Sequence, residues 1–178
     1  IEACLKSNVT KFCLISTDKA ASPLSTLGVT KLLAERLTIA SASYRTSKKL
    51  SLYAARFGNV LGTRGSVLEL FLKQKRENKP ITITSKEMTR FTMTSEEAVD
   101  LILSTVKIAK GGEIFVLKMK VMKIIDLAES LLEIYGKNSE NIIEIGMRQG
   151  EKIHEILVSE EEGFKTREDK KMFIIPVN

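Results

Sequence analysis

The sequence has no tryptophan, one histidine, two cysteines and three prolines, and only 6% of its residues are aromatic. Each shortage closes off a class of chemistry. So few rings leave little surface on which nucleobases can stack, which argues against a single-stranded nucleic-acid platform. One histidine makes no metal site, so His154 is expected to be structural, on a short helix after Glu151. Two cysteines cannot form a disulfide framework, and Cys13 lies in an apolar run where a small buried thiol is usual. No stretch approaches the ~18 consecutive apolar residues of a membrane span, and residues 1–6 lack the basic start and apolar run of a secretory signal. The expectation is a cytoplasmic protein with no membrane segment.

The 178 residues carry 28 Lys+Arg against 22 Asp+Glu, a formal charge of +6, with 43% hydrophobic and 28% charged residues. That balance fits a globular chain able to bury a core. The positive charge is scattered among acids: Lys73, Lys75 and Arg76 stand beside Glu77, and Lys165 and Arg167 follow Glu160, Glu161 and Glu162. Mixed charge of this kind is a solvated surface, and no nucleic-acid partner is expected.

Residues 1–7 read as the tail of a helix. The continuous apolar runs at 12–15 and 52–57 suit strands of a parallel sheet buried on both faces. Between them, Leu33, Leu37, Ala40 and Tyr44 give residues 27–44 an apolar helical stripe opposite a polar face. Gly58 and Gly62 mark a loop, followed by a helix at 66–75 and a strand at 81–84. Thr94 and Glu97 suggest a capping box for a helix at 95–110 with Val99, Ile102, Leu103 and Val106 inward. Further segments are a strand at 113–117, a helix at 123–135 closed by Gly136, and strands at 142–145 and 173–175. Strands alternating with helices predict an α/β fold with a parallel sheet.

In such sheets ligands bind beyond the carboxyl ends of the strands, and three of those ends are polar. Thr17, Asp18 and Lys19 place a hydroxyl, an acid and an amine together; an ordinary polar turn explains them equally well. Arg56 stands by Gly58 and Asn59, and Arg148 by Gly150 and Glu151. A guanidinium at a glycine turn suits phosphate, because its fork matches two oxygens.

The segments Ser16-Thr17-Asp18-Lys19-Ala20, Gly28-Val29-Thr30-Lys31, residues 56–62, Arg64-Gly65-Ser66-Val67, Met88-Thr89-Arg90-Phe91 and residues 148–152 stand in the order found in the extended short-chain dehydrogenase/reductase family. More narrowly, the chain resembles the capsular-polysaccharide dehydratases that remove water across carbons 4 to 6 of UDP-N-acetylglucosamine. The Gly-x-x-Gly-x-x-Gly turn with which that family holds the dinucleotide pyrophosphate is absent, so the chain resembles the carboxyl-terminal part of such an enzyme. The resemblance implies that residues 1–62 form the second half of a Rossmann domain. Residues 63–178 would be mainly a substrate domain, with the strand at 113–117 returning to the sheet.

The resemblance further implies NAD or NADP as cofactor, touched by Ser16, Lys31, Phe57, Gly58 and Val60. The implied catalytic group is Thr17 as donor to the oxygen on carbon 4, Asp18 as acid for the departing hydroxyl, Lys19 as base at carbon 5, and Lys31. Asn59, Arg64, Ser66, Val67, Arg90, Arg148 and Glu151 would hold the UDP-sugar, the two arginines at the diphosphate and Glu151 at the ribose. The family's Tyr-x-x-x-Lys pair reads Leu27-x-x-x-Lys31 here, which leaves the base for sugar oxidation unassigned between Asp18 and a group outside this chain. Self-association is also implied. The alternatives are a nucleotide-sugar 4-epimerase of the same superfamily, or a UDP-sugar-binding remnant without catalysis.

Overall fold

A computed structural model of the chain describes residues 1–43, 50–135 and 141–176. In chain order the elements are α1 (Glu2–Leu5), β1 (Lys11–Thr17), a 3-10 turn (Asp18–Ala20), α2 (Thr26–Ser43), β2 (Ser51–Phe57), β3 (Asn59–Val60) and α3 (Val67–Arg76). They continue with β4 (Ile81–Ile83), β5 (Thr89–Met93), α4 (Ser95–Ile108), β6 (Ile114–Leu117), β7 (Lys120–Lys123), α5 (Ile124–Ile134), β8 (Ile142–Glu144), α6 (Glu160–Gly163), β9 (Arg167–Glu168) and β10 (Met172–Ile175). Two compact units result: Ile1–Phe57, Glu96–Lys118 and Ile156–Asn178 make the first, and Gly58–Ser95 with Met119–Glu155 the second.

The first unit is an α/β layer built on a sheet of order β1-β2-β6-β10-β9. β1, β2 and β6 run parallel, whereas β10 is antiparallel to both β6 and β9. With a neighbour on each side, β2 buries Leu52, Tyr53, Ala54 and Ala55, as a continuous apolar run in a parallel sheet should. Alternate residues point to opposite faces. Tyr53 packs with Leu101, Ala109 and Phe115, its ring edge-on to Phe115 at 5.7 Å, while Ala54 joins Ile114, Val116, Ile175 and Ile39 of α2. Helices α4 and α2 therefore cover the two faces.

Arg56 closes this sheet from within. Its side chain is fully buried, and all five guanidinium N–H groups find protein acceptors. Nε and Nη2 donate to Glu35 at 3.0 and 2.6 Å; Nη1 and Nη2 donate to Glu162 at 2.9 Å each; Nη1 also reaches the Leu157 carbonyl at 3.0 Å. One cation thus ties β2 to α2 and α6. Arg56 is not a phosphate ligand, contrary to the reading of its glycine-flanked turn, because no donor is left to offer.

The same network corrects the face assigned to α2. Its buried residues are Gly28, Glu35 and Thr38; Leu33 and Leu37 are 57% and 55% exposed, Ala40 is exposed, and Tyr44 lies outside the described residues. A polar partner, not the apolar stripe, decides which side faces the sheet. In α4 the inward residues are Ala98, Leu101 and Thr105, so Val99, Leu103 and Val106 are exposed and Ile102 is half-buried. Leu101 packs into the Tyr53 cluster, and Thr105 is buried with its hydroxyl donating to the Ile102 carbonyl at 2.7 Å, so a face that carries a polar residue is the inward one. Cys4 and Cys13 are free thiols, and Cys13, expected to be buried, is only half-buried because β1 lies at the sheet edge.

The second unit holds the three-stranded sheet β3-β5-β7 and the pair β4-β8. α5 buries Ile124, Ala128, Leu131 and Leu132 against Phe71 of α3 and Ile81 and Ile83 of β4, the i, i+4, i+7, i+8 spacing of one helical face. Gly136, expected to close α5, lies outside the described residues. Ser66 caps α3 by accepting from Glu69 N. Gly58 lies flat against β5, where a Cβ would stand 2.6 Å from the Phe91 carbonyl oxygen, and its N–H donates to Met119 Sδ at 3.1 Å. His154 is not on a helix: it forms an isolated bridge with Thr89, whose hydroxyl lies 2.8 Å from His154 Nδ1.

Two outcomes follow for the buried ion network. Arg56→Leu leaves the Glu35 and Glu162 carboxylates without their cation and should cost about 3–5 kcal/mol of unfolding free energy in urea titrations; a loss no larger than that of a surface substitution would contradict the assignment. Burial pushes the Glu162 carboxyl up, but donors from Arg56 and Ser159 outweigh it and hold the group below the ordinary glutamate range. Its stabilisation is therefore complete above the unfolded-state value of about 4.3 and is lost as pH falls through the lower folded-state value. Urea midpoints followed from about pH 7 to 3 should drop more steeply for the wild type than for Glu162→Gln.

Candidate functional site

The expected catalytic residues all lie in the first unit, Thr17, Asp18 and Lys19 at the carboxyl end of β1 and Lys31 on α2. Thr17 ends β1 and the chain tightens into the 3-10 turn. Thr17 Oγ1 donates to Asp18 Oδ1 at 2.9 Å, and Lys19 Nζ donates to the same oxygen at 3.0 Å. The Asp18 side chain is wholly buried while that of Lys19 is 29% exposed, so the amine is the solvent-facing member. Asp18 Oδ2 is buried without a partner among the described residues, and so is the Ser16 hydroxyl one residue before Thr17. Buried polar atoms are rarely left so, and a ligand group supplies the missing partner in many sites. An ordinary solvated turn does not bury its acid in this way.

Lys31 lies one turn along α2 from Leu27 and donates from Nζ to the Ile15 carbonyl at 2.9 Å, which pins the amine beside β1. Leu27 is 55% exposed in the first turn of the helix. Gly28 sets how closely this helix approaches. A Cβ there would lie 2.4 Å from the Lys19 carbonyl oxygen and 2.9 Å from Pro23 Cβ, so only glycine lets α2 rest on the turn that carries Asp18 and Lys19.

The expected substrate residues belong to the second unit, and six of the seven line one cavity of about 260 Å³: Asn59, Ser66, Val67, Arg90, Arg148 and Glu151. The seventh, Arg64, lines an adjoining cavity of about 240 Å³ together with Val60, and Asn59, Ser66 and Val67 face both. Leu70, Phe71, Met88 and Ile145 supply an apolar wall. Arg90, on β5, is buried, yet no carboxylate pairs with it among the described residues. Its Nη1 donates to the Thr89 and Ile153 carbonyls at 2.7 and 3.1 Å, and its remaining N–H groups are uncommitted. Arg148 is exposed and pairs with no described acid. Glu151 Oε2 accepts from Thr84 Oγ1 at 3.2 Å and from Arg148 N at 3.1 Å.

Of the residues expected at the dinucleotide, Ser16, Lys31 and Phe57 fall in the first unit and Gly58 and Val60 in the second. Phe57 packs against the Tyr53 cluster, and Gly58 is required by its contact with Phe91. Among the described residues no group of three His, Cys, Asp or Glu side chains could hold a metal ion, and no helix is long and apolar enough to cross a membrane. Sequence reasoning missed Thr84. It stands just past the carboxyl end of β4, where the strand-end rule directs the search.

Gly28→Ala should force the turn at 18–20 away from α2. The expected result is a loss of about 1–3 kcal/mol in urea titration, as for other overpacked sites, with disruption of the Asp18–Lys19 pair. A variant with unchanged stability and an undisturbed turn in its crystal structure would refute this role for Gly28.

The family described as "Polysaccharide biosynthesis protein" matches residues 1–177. The chain is 48% identical over 164 residues to the capsular polysaccharide biosynthesis protein CapD of Staphylococcus aureus, covering 90% of this chain and 27% of CapD. To the UDP-glucose 4-epimerase of Rickettsia rickettsii it is 41% identical over 179 residues, 100% of this chain and 52% of the epimerase. The solved structure of Pen from Bacillus thuringiensis superposes with a TM-score of 0.92 at 42% identity, covering 99% of this chain and 56% of Pen. NAD-bound nucleotide-sugar dehydratases and an epimerase at 15–23% identity share the fold, with TM-scores of 0.73–0.75. The chain spans about half the length of the epimerase and of Pen. A match over nearly every residue, with relatives above 40% identity, places this chain in the polysaccharide biosynthesis protein family.

Proposed function

We propose that this chain carries the nucleotide-sugar site and the acid–base residues of an NAD(P)-dependent dehydratase acting across carbons 4 to 6 of UDP-N-acetylglucosamine, with epimerisation at carbon 5 as a further outcome. The observation that carries the reading is Arg90, a buried cation in a cavity wall with no carboxylate partner among the described residues and with donors to offer. Burying a charge unpaired is costly, and an anionic ligand removes that cost. Arg148 on the same cavity adds a second positive group, which suits a diphosphate. Asn59 and Ser66 supply polar contacts and Glu151 an acceptor for hydroxyls.

Bound NAD or NADP would supply a hydride acceptor for sugar carbon 4 and a hydride donor for carbon 6. The unpartnered Ser16 hydroxyl and the pinned Lys31 amine suit one edge of such a cofactor. Oxidation at carbon 4 also releases the proton of its hydroxyl. With leucine in place of tyrosine at 27, Thr17 and Asp18 stand next in line, since Thr17 already donates to Asp18. The resulting ketone acidifies the carbon 5 proton, which Lys19 removes, and Asp18 protonates the carbon 6 hydroxyl as it leaves as water; when hydride adds at carbon 6, the Lys19 ammonium, after exchange with solvent, returns a proton to carbon 5.

A 4-epimerase is the second reading, favoured by the Rickettsia relative. Epimerisation at carbon 4 needs neither a base at carbon 5 nor an acid at carbon 6, so Asp18 and Lys19 favour dehydration. The full-length protein incubated in deuterated water with NAD and UDP-N-acetylglucosamine should yield a product short of one water and labelled at carbon 5, and Lys19→Ala should abolish both. A product of unchanged mass without label at carbon 5 would replace dehydration by epimerisation.

A further inference from the structure

We propose that Thr84 is a positioning residue that gives the nucleotide cavity its selectivity for ribose, by fixing Glu151 so that one carboxylate oxygen is presented to a ligand hydroxyl; this rests on the nucleotide-sugar reading of the cavity. Parallel pairing of β4 with β8, Ile83 opposite Glu144, together with the Ile145 N–H bond to the Ile83 carbonyl at 2.9 Å, fixes where the chain leaves the strand pair toward Arg148. Thr84 stands at the matching exit of β4. Its hydroxyl and the Arg148 N–H both donate to Glu151 Oε2, and Oε1 makes no bond to another described residue. Thr84, Arg148 and Glu151 all line the same cavity.

A carboxylate clamped through one oxygen offers the other as a directed acceptor. Phosphate oxygens bring no proton to it at neutral pH, whereas a ribose brings two hydroxyls. Removing the Thr84 hydroxyl frees the carboxylate to swing toward the exposed Arg148 side chain three residues earlier, where an ion pair would occupy the acceptor. Selectivity would then fall while the diphosphate contacts persist. Sites that hydrogen-bond a ligand hydroxyl with a charged group discriminate strongly against the analogue lacking it, because the charge is left unsatisfied.

Calorimetric titration of the full chain with UDP and with 2′,3′-dideoxy-UDP separates the possibilities. The wild type should favour UDP by about ten- to hundredfold. Thr84→Val should bring the two ligands to near-equal affinity by weakening UDP alone, and Thr84→Ser, which keeps the donor, should restore the preference. Should the valine variant lack the wild-type circular dichroism, Thr84→Ala carries the same expectation. A preference retained in Thr84→Val and Thr84→Ala, or an equal loss for both ligands, overturns the role of Thr84. Equal binding of both nucleotides by the wild type overturns this proposal while leaving the nucleotide reading in place, whereas no binding of UDP at all overturns both.

Discussion

The first unit depends on a single buried guanidinium. Arg56 is held by two carboxylates and one carbonyl, and these come from α2, from the N-terminal turn of α6 and from the segment just before it. A buried ion group of this kind adds less net stability than apolar packing of equal volume, but it is demanding in geometry. Every donor must meet its acceptor, so α2 has one rotation and one depth on the sheet. That rotation brings Gly28 onto the Lys19 carbonyl and carries Lys31 to the Ile15 carbonyl. The placement of Asp18 and Lys19 is thus downstream of an ion network that contains neither.

Two arginines with similar sequence surroundings show how far partners, not residue type, decide function. Arg56 and Arg90 are both buried and both on strands. Arg56 has satisfied all five donors within the protein, which leaves it structural. Arg90 has committed only Nη1, to two backbone carbonyls, and lines a cavity with its charge unbalanced by any described acid. A positive charge in that condition keeps donors free for an anion. Glu151 repeats the pattern with opposite sign, being clamped on one oxygen and open on the other.

The parallel sheet was legible in its continuous apolar runs: 12–15 and 52–57 became β1 and β2, and 113–117 became β6. Burial on both faces holds for β2 but not for β1, which lies at the sheet edge with Phe12, Cys13 and Leu14 half-buried and Ile15 exposed. The polar residues that line the cavity of the second unit fall in short motifs, although nothing in one dimension shows that they share a wall. The inward faces of α2 and α4 were misread for a common reason. The buried face holds Glu35 and Thr38 in α2 and Thr105 in α4, and apolar periodicity is blind to buried polar residues. The strands β5 and β7 escaped notice because Thr-Arg-Phe-Thr-Met and Lys-Val-Met-Lys lack a hydrophobic signal, their pairing being set by long-range backbone bonds. His154 was misplaced similarly, its bridge to Thr89 reaching back 65 residues.

The claim on which the account rests is that Arg90 is kept unpaired for a ligand diphosphate. Calorimetric titration of UDP-N-acetylglucosamine into the folded chain and into Arg90→Met tests it most directly, with circular dichroism as the control for folding. The account predicts saturable binding by the wild type and a loss of about tenfold or more in the variant, as expected for a charge-assisted hydrogen bond. Equal affinity in the two proteins, or no binding by a well-folded wild type, would contradict it.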